Sequence, residues 1–176
     1  MGGHVPLIDH AMEFAAQYAV FAIALLVAAS WFIRAGNGAD RRIAVYTAIG
    51  SAAISIAIAM LIQHYYVHQR PFVLRNDVVL LIDHSADPSF PSEHTTAAFA
   101  MAAGIGIYRH KLGALLLVLA ALTAFSRVFV GVHYPADVAA GAAIGVLVAM
   151  ALWFARPALA WVDRCVVVRV VPAPLR

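Results

Sequence analysis

The chain has 176 residues, of which 64% are hydrophobic and 12% are charged, and its formal net charge is +3. Soluble domains average about 45–50% apolar and about 25% charged residues, so this composition excludes a soluble globular domain. A disulfide-stabilised domain is excluded because Cys165 is the only cysteine. The small excess of Lys and Arg does not indicate nucleic acid as a partner, and the composition predicts an all-α membrane helix bundle.

Five hydrophobic segments are predicted to be transmembrane helices. In chain order they cover residues 14–33, 43–62, 95–108, 112–125 and 138–154. A bilayer core about 30 Å thick needs roughly 20 mostly apolar residues per helix. The third and fourth segments reach that length only if the polar residues 92–94 and 126–127 belong to the same helices. The first segment is interpreted as a permanent helix and not as a signal peptide, because no Lys or Arg precedes it.

The Lys and Arg residues predict how the helices are oriented. Nine of them lie in the connections that share one side of the membrane with the C-terminal tail, or in the tail itself. They are Arg34, Arg41, Arg42, Arg109, Lys111, Arg156, Arg164, Arg169 and Arg176. The other side has three, namely Arg70, Arg75 and Arg127. By the positive-inside rule, the N-terminus is expected outside and the C-terminus in the cytoplasm. Most acidic residues and every histidine except His110 then lie on the outer side, which is where we expect the chemistry.

The chain is expected to form one membrane domain, residues 1–156, followed by a cytoplasmic interfacial tail, residues 157–176. The tail is too short and too basic to span, and Trp161, Arg164 and Arg169 are typical of a segment at the interface. The connection over residues 71–91 is long and contains an apolar run, 78–82, which we expect to lie against the membrane or over the helix ends. Gly141 and Gly145 have the spacing of closely packed membrane helices.

Residues in three outer segments are candidates for binding a phosphate group. Arg70 and Arg127 carry planar sets of donors suited to phosphate oxygens. Ser92 follows a proline at a predicted helix start, where backbone N–H groups and the helix dipole favour an anion. A bound anion would also offset the cost of placing either arginine near apolar helix ends.

Two histidines and one aspartate are candidates for the catalytic groups. His133 and Asp137 are four residues apart at the start of the fifth helix and therefore share one face. The carboxylate can keep one imidazole nitrogen protonated and leave the other free as nucleophile or base. His94 comes from a different helix and can protonate a leaving oxygen. No cluster of Asp and Glu suited to Mg²⁺ is evident in the sequence, so neither a metal nor a cofactor is expected.

Each of these residues also has a structural interpretation when it is taken alone. His133 with Asp137 can be a helix-capping pair, and Arg127 can extend to lipid headgroups. The neighbouring residues His64, Tyr65, Tyr66 and His68 are interpreted as an interfacial belt. It is the joint arrangement of the arginines and histidines that favours phosphoryl transfer.

The three segments resemble a known set of motifs. They read Q-HYYVHQ-R-P from Gln63, P-S-E-H from Pro91, and S-R-VFVGV-H-YPA-D from Ser126. These are similar to K-x6-R-P, P-S-G-H and S-R-x5-H-x3-D, the signature of the type-2 phosphatidic acid phosphatase superfamily of lipid phosphatases. Gln63 replaces the lysine and Glu93 replaces the glycine, whereas the third motif is complete. The acidic Glu93 together with V-G-V-H-Y-P-x-D-V is most similar to the bacitracin-resistance type of undecaprenyl-diphosphate phosphatase.

The resemblance implies a role for each matching residue. His133 would be the nucleophile that forms a phosphohistidine, Asp137 would orient it, and His94 would be the general acid. The residues placed around the phosphoryl oxygens would be Arg70, Arg127 and Ser92, with Gln63 and Glu93 at the two positions that depart from the motif. The substrate would be a polyprenyl diphosphate, surrounded by membrane lipids, in a bacterial inner membrane with the site on the periplasmic or outer face.

Two alternatives are kept. The first has the same chemistry on a different lipid, phosphatidic acid or phosphatidylglycerophosphate. The second is a membrane transporter with an outer polar cluster. A transporter predicts polar groups along a path through the bilayer midplane, and the middles of the five segments carry no charge.

Overall fold

The computed structural model describes residues 6–33 and 38–167, without the side chains of residues 166 and 167. This part of the chain is helical and contains no strand, which confirms the predicted all-α class. Its elements, in chain order, are α1 (Pro6–Ser30), α2 (Gly38–Tyr65), α3 (Pro71–Leu74), α4 (Glu93–Gly106), α5 (His110–Phe129), α6 (Pro135–Phe154), α7 (Arg156–Val162) and a π-helical turn (Asp163–Val167).

Four of the described helices are long and apolar enough to cross a membrane, and they are α1, α2, α5 and α6. Helix α5 includes Ser126 and Arg127, as the fourth predicted segment required. Helix α4 covers most of the third predicted segment but has only 14 residues. At 1.5 Å per residue it is about 21 Å long, so it is shorter than the predicted spanning helix.

Helix α4 lies at the centre of the bundle and packs against α1, α2, α5 and α6. Its residues are mostly small, so neighbouring backbones come very close. A Cβ atom on Gly104 of α4 would lie 2.6 Å from the Cα of Ala48 in α2. A Cβ atom on Gly145 of α6 would lie 2.6 Å from the carbonyl oxygen of Thr96 in α4. The packing interpretation of the α6 glycines is therefore confirmed.

The connection between α2 and α4 lies over one end of the bundle. Ile82 is buried against Val130 and Val132, which form the turn between α5 and α6. The backbone N–H of Leu81 donates to the carbonyl of Val130 at 3.3 Å. Gly131 in the same turn has φ +83°, and a Cβ there would lie 2.8 Å from the carbonyl oxygen of Val79. The apolar run 78–82 thus packs over helix ends, one of the two positions expected for it.

The opposite end of the bundle gathers basic residues. Arg42 of α2 donates two hydrogen bonds to Asp163, at 2.6 and 2.8 Å, and the hydroxyl of Tyr46 donates a third at 3.0 Å. The hydrogen bond from Arg42 is the main cause that holds the pKa of Asp163 below its usual value. The π-helical turn is therefore tied to α2. The predicted tail residue Arg169, like Arg34 and Arg176, lies outside the described residues.

Candidate active site

A cavity of about 230 Å³ lies beneath the α2–α4 connection, at the end of the bundle opposite the pair of Arg42 and Asp163. Six of the eight site residues predicted from the sequence line it, and two further residues of the connection complete the wall. The lining residues are Gln63, Arg70, His84, Asp87, Glu93, His94, Arg127 and His133. Three separate segments of the chain thus meet at one cavity.

His133 has one ring nitrogen beside Asp137 and the other beside Arg70, at the wall of the cavity. His133 lies in the α5–α6 turn and is 3% exposed. Its Nδ1 is 3.4 Å from Oδ2 of Asp137, and its Nε2 is 3.3 Å from Nη1 of Arg70. The same Oδ2 accepts the backbone N–H of Tyr134 at 2.9 Å, which fixes the carboxylate in the first turn of α6. This geometry leaves Nε2 as the nitrogen that can react.

The surroundings of His133 keep its imidazole neutral. Burial lowers the pKa of His133 to about 4, against the opposing effect of its hydrogen bond with Asp137. The positive charges of Arg127 and Arg70 act in the same direction as burial. A neutral imidazole carries the lone pair that a nucleophile or base requires.

The two arginines present guanidinium groups to the cavity and are both almost fully buried. Nε of Arg70 donates to Oδ1 of Asp87 at 2.9 Å, and Nη1 donates to the carbonyl of Val132 at 3.0 Å. Nη2 of Arg127 is 2.9 Å from Nε2 of His84. Nε of Arg127 is buried and has no hydrogen-bond partner among the described residues. Such donors suit the oxygens of a phosphate group.

Three residues near these groups were not identified from the sequence. The hydroxyl of Ser89 makes a short hydrogen bond to Oδ2 of Asp137 and lies 3.3 Å from Nδ1 of His133. His84 and Asp87 contact the two arginines. All three belong to the irregular α2–α4 connection, and the only available signal was their position just before Pro91.

Asp87 brings a negative charge to the wall of the cavity. Partial burial acts to raise the pKa of Asp87, but the charge and hydrogen bond of Arg70 outweigh it, so the pKa lies below its usual value. The ionised carboxylate therefore neutralises Arg70. Among residues 6–33 and 38–167, no group of three or more His, Cys, Asp or Glu side chains is arranged to hold a metal ion.

Two predicted site residues do not line the cavity. Asp137 lies behind His133 and is fully buried. Ser92 is also fully buried, and its hydroxyl accepts a hydrogen bond from that of Thr95 at 3.1 Å. The backbone N–H of Ser92 donates to the carbonyl of Asp137 at 3.2 Å, which joins the starts of α4 and α6. Direct phosphate binding by Ser92 stays a prediction, and its contacts here are structural.

An apolar groove of about 200 Å³ adjoins the cavity. It is lined by Val20, Phe21, Ile56 and Ala97 from three helices, and also by Glu93 and His94. The last two residues line the cavity as well. Polar and apolar spaces therefore meet at the first turn of α4.

Comparison with known proteins gives a family match and similar sequences. The model of the PAP2 superfamily matches residues 44–161. The chain is 38% identical over 145 residues to "Undecaprenyl-diphosphatase BcrC" of Bacillus subtilis (strain 168), covering 82% of this chain and 73% of that protein. It is 37% identical over 145 residues to "Putative undecaprenyl-diphosphatase YbjG" of Escherichia coli (strain K12), covering 80% and 71%.

Two solved structures have a similar fold. The structure of Aquifex aeolicus LpxE superposes with a TM-score of 0.73 at 25% identity, covering 86% of this chain and 88% of that one. A PAP2-type phosphatidylglycerolphosphate phosphatase from Bacillus subtilis superposes with a TM-score of 0.65 at 17% identity, covering 88% and 79%. The second likeness concerns the fold alone.

Proposed function

The chain belongs to the PAP2 superfamily and is a membrane phosphatase of that family, and from this premise we propose that it hydrolyses undecaprenyl diphosphate to undecaprenyl phosphate. The observation that carries the proposal is the meeting of Arg70, Arg127, His94 and His133 at one cavity that adjoins an apolar groove. The names of the two similar sequences support the choice of a polyprenyl diphosphate. The reaction would recycle the lipid carrier of cell-wall synthesis.

In the first step, Nε2 of His133 attacks the terminal phosphorus. The bond from that phosphorus to the bridging oxygen breaks, and His94 gives a proton to this oxygen as polyprenyl phosphate leaves. The guanidinium groups of Arg70 and Arg127 stabilise the charge on the equatorial phosphoryl oxygens. Burial, together with the positive charges of Arg127 and Arg70, lowers the pKa of His94 to about 4 in the free protein. The negative charge of the bound diphosphate acts in the opposite direction and favours the protonated His94 that this step needs.

In the second step, water cleaves the phosphohistidine. Neutral His94 accepts a proton from the water as its oxygen bonds to phosphorus, and the bond between phosphorus and Nε2 breaks. Inorganic phosphate leaves, and both histidines return to their starting protonation states. Asp137 holds Nδ1 of His133 in place throughout.

The apolar groove is the proposed place for the first isoprene units of the substrate. It adjoins His94, the proposed acid for the leaving group, which is the part of the substrate that carries the tail. The groove is lined by side chains of α1, α2 and α4. In this pose the diphosphate lies in the cavity and the tail extends from its leaving-group side.

We place the cavity on the outer face of a bacterial inner membrane. The support is the distribution of charge, because six of the nine Lys and Arg residues described by the structure lie at the opposite end of the bundle, where Arg42 contacts Asp163 and Arg109 contacts Ser30. Positive residues favour the cytoplasmic side. The substrate's diphosphate would then be reached from outside the cell.

The same cavity also fits a lipid monophosphate. The structural neighbour from Bacillus subtilis is named a phosphatidylglycerolphosphate phosphatase, and both neighbours share this fold. Phosphatidic acid is the alternative substrate to compare, because its single phosphate would meet the same arginines and histidines.

Phosphate release by the purified protein tests the proposal. Undecaprenyl diphosphate and phosphatidic acid are compared in detergent with EDTA present. We expect a clear preference for the diphosphate and no loss of rate with EDTA. Preference for phosphatidic acid would contradict the proposed substrate. Loss of activity with EDTA would show that a divalent cation is needed and would contradict the metal-free mechanism.

Two variants control this assay. His133→Ala removes the nucleophile and is expected to lower kcat by at least about a thousandfold without unfolding the protein. His64→Ala changes an exposed histidine that does not line the cavity, and its kcat is expected to stay unchanged. Retention of activity in His133→Ala would contradict the phosphohistidine mechanism.

A further inference from the structure

Among the described residues, one oxygen of the Asp137 carboxylate forms hydrogen bonds and the other does not. Its Oδ2 is shared by Ser89, Tyr134 and His133. Its Oδ1 is buried and has no hydrogen-bond partner among the described residues. A buried oxygen of an ionised carboxylate without a donor is costly, and native structures rarely leave one unpaired.

One donor faces this oxygen. Nδ1 of His68 lies 3.6 Å from Oδ1 of Asp137, and this nitrogen is also buried and without a hydrogen bond. The side chain of His68 is 34% exposed, so the ring reaches from the surface to the carboxylate. The sequence assigned His68 to an interfacial belt with Tyr65, which is 80% exposed. His68 differs from that belt because its Nδ1 points inward.

The imidazole of His68 is held in position by its neighbours. Its ring stacks on Tyr66 at 5.9 Å between centroids and contacts Tyr134 at 5.1 Å. The carbonyl of His68 accepts the backbone N–H of Ser89 at 2.7 Å. Because the hydroxyl of Ser89 also binds Asp137, the backbone of His68 and the carboxylate are linked through one residue.

We infer that His68 is a positioning residue for the reaction, whose Nδ1–H donates to Oδ1 of Asp137 and so holds that carboxylate in the orientation that aligns His133. The inference rests on the proposed phosphatase mechanism. The separation of 3.6 Å is slightly longer than a hydrogen bond. Hydrogen bonds that support catalysis are often long without substrate and shorten when substrate binds. Asp137 then lies between two imidazoles, each bound to a different oxygen.

Kinetics of three variants test the inference. His68→Leu removes the donor, whereas His68→Asn keeps an N–H donor close to the position of Nδ1. We expect His68→Leu to lower kcat about tenfold or more, the loss that corresponds to a hydrogen bond to a charged group, with KM unchanged. His68→Asn should recover most of kcat. The matched control is His64→Leu, which changes an exposed histidine four positions earlier in the chain. Its kcat and KM should both stay unchanged.

Three kinetic results would overturn the inference. An unchanged kcat in His68→Leu would show that the donor is not needed. Equal losses in His68→Leu and His68→Asn would assign His68 a packing role on Tyr66 and Tyr134. A rise in KM at constant kcat would make His68 a substrate-binding residue. Melting temperatures of all variants show whether each one is folded.

A substrate-independent measurement separates this inference from the proposed function. In protein with ¹⁵N-labelled histidine in detergent, we expect a slowly exchanging Nδ1–H resonance that disappears in His68→Leu and shifts in Asp137→Asn. Its absence from the wild-type protein would overturn the inference even if the enzyme is active. If the wild-type protein releases no phosphate from any lipid, the proposed function fails, and this resonance still decides whether His68 binds Asp137.

Discussion

Arg70 is the residue whose hydrogen-bond partners would change on binding of the proposed phosphate group. In the structure its Nε donates to the side chain and the backbone carbonyl of Asp87, at 2.9 and 3.1 Å. Its Nη1 lies beside Nε2 of His133, the nitrogen proposed to attack. A bound phosphoryl group would take over donors from both neighbours. The carboxylate of Asp87 would thus compete with a bound phosphoryl group for the guanidinium of Arg70.

Replacing Asp87 is expected to strengthen phosphate binding. In Asp87→Asn the negative charge is removed, so inorganic phosphate no longer competes with a carboxylate for Arg70. The side chain of Asp87 is 53% exposed, and such partly exposed pairs contribute ~1 kcal/mol or less. We therefore expect the inhibition constant of inorganic phosphate to fall about three- to fivefold, measured as product inhibition of lipid hydrolysis.

The control is a second Asp–Arg pair in the same connection. Asp77 accepts hydrogen bonds from Arg75 at 3.0 and 2.8 Å and is exposed, and neither residue lines the cavity. Asp77→Asn should leave phosphate inhibition unchanged. A weaker inhibition by phosphate in Asp87→Asn would show that Asp87 positions Arg70 for binding and does not compete with the substrate.

At the scale of elements, the position of α4 depends on glycines in its neighbours. Thr96 and Ala100 of α4 lie so close to α6 that a Cβ atom on Gly145 would be 2.6 Å from one backbone atom and 2.7 Å from another. Backbone atoms cannot move aside as a flexible side chain can. Since the first turn of α4 carries His94, the close approach of α6 also positions the candidate acid.

Gly145→Ala is expected to lower both stability and activity. Overpacking of this kind costs about 1–3 kcal/mol, which corresponds to a melting temperature several degrees lower in a chain of this size. Gly50→Ala is the matched control, because its Cβ would meet only the flexible end of Leu152 at 3.2 Å. Thermal unfolding in detergent measures both variants. An equal effect of the two would contradict the account of helix packing.

The elements differ in how far they could be predicted. Helices α1, α2, α5 and α6 could be predicted from long apolar runs, because the length of an apolar run is a local property of the sequence. The pairing of His133 with Asp137 was also predictable, because the two residues are four positions apart in the sequence, although His133 lies in the turn before α6 and not in the helix. Ser89, His84 and Asp87 were not, because their positions depend on the path of an irregular connection. The contact of Ser89 with Asp137 joins residues 48 positions apart, for which no local pattern exists.

At the scale of the whole molecule, the cavity and the cluster of basic residues lie at opposite ends of the bundle. The exposed residue Asp77 belongs to the connection over the cavity, and the exposed residue Lys111 lies in the first turn of α5 at the other end. If the cavity faces outward, these two positions lie on different sides of the membrane. Their accessibility therefore tests the orientation predicted from the Lys and Arg distribution.

Cysteine labelling measures this accessibility. With Cys165 replaced by serine, Asp77→Cys is expected to react with a membrane-impermeant maleimide in intact spheroplasts. Lys111→Cys should react only after the membrane has been permeabilised. The reverse pattern would place the active site on the cytoplasmic side.

The bond between Arg42 and Asp163 has a consequence for the order in which the molecule is assembled. The two residues are 121 positions apart, and both side chains are almost fully buried. During synthesis Arg42 is made 121 residues before its partner, so α2 carries this charge unmatched until Asp163 has been made. Leaving one partner of a buried ion pair alone costs about 3–5 kcal/mol. The bundle is thus incomplete until Asp163 has been synthesised, and a chain truncated before this residue leaves the guanidinium of Arg42 without its partner.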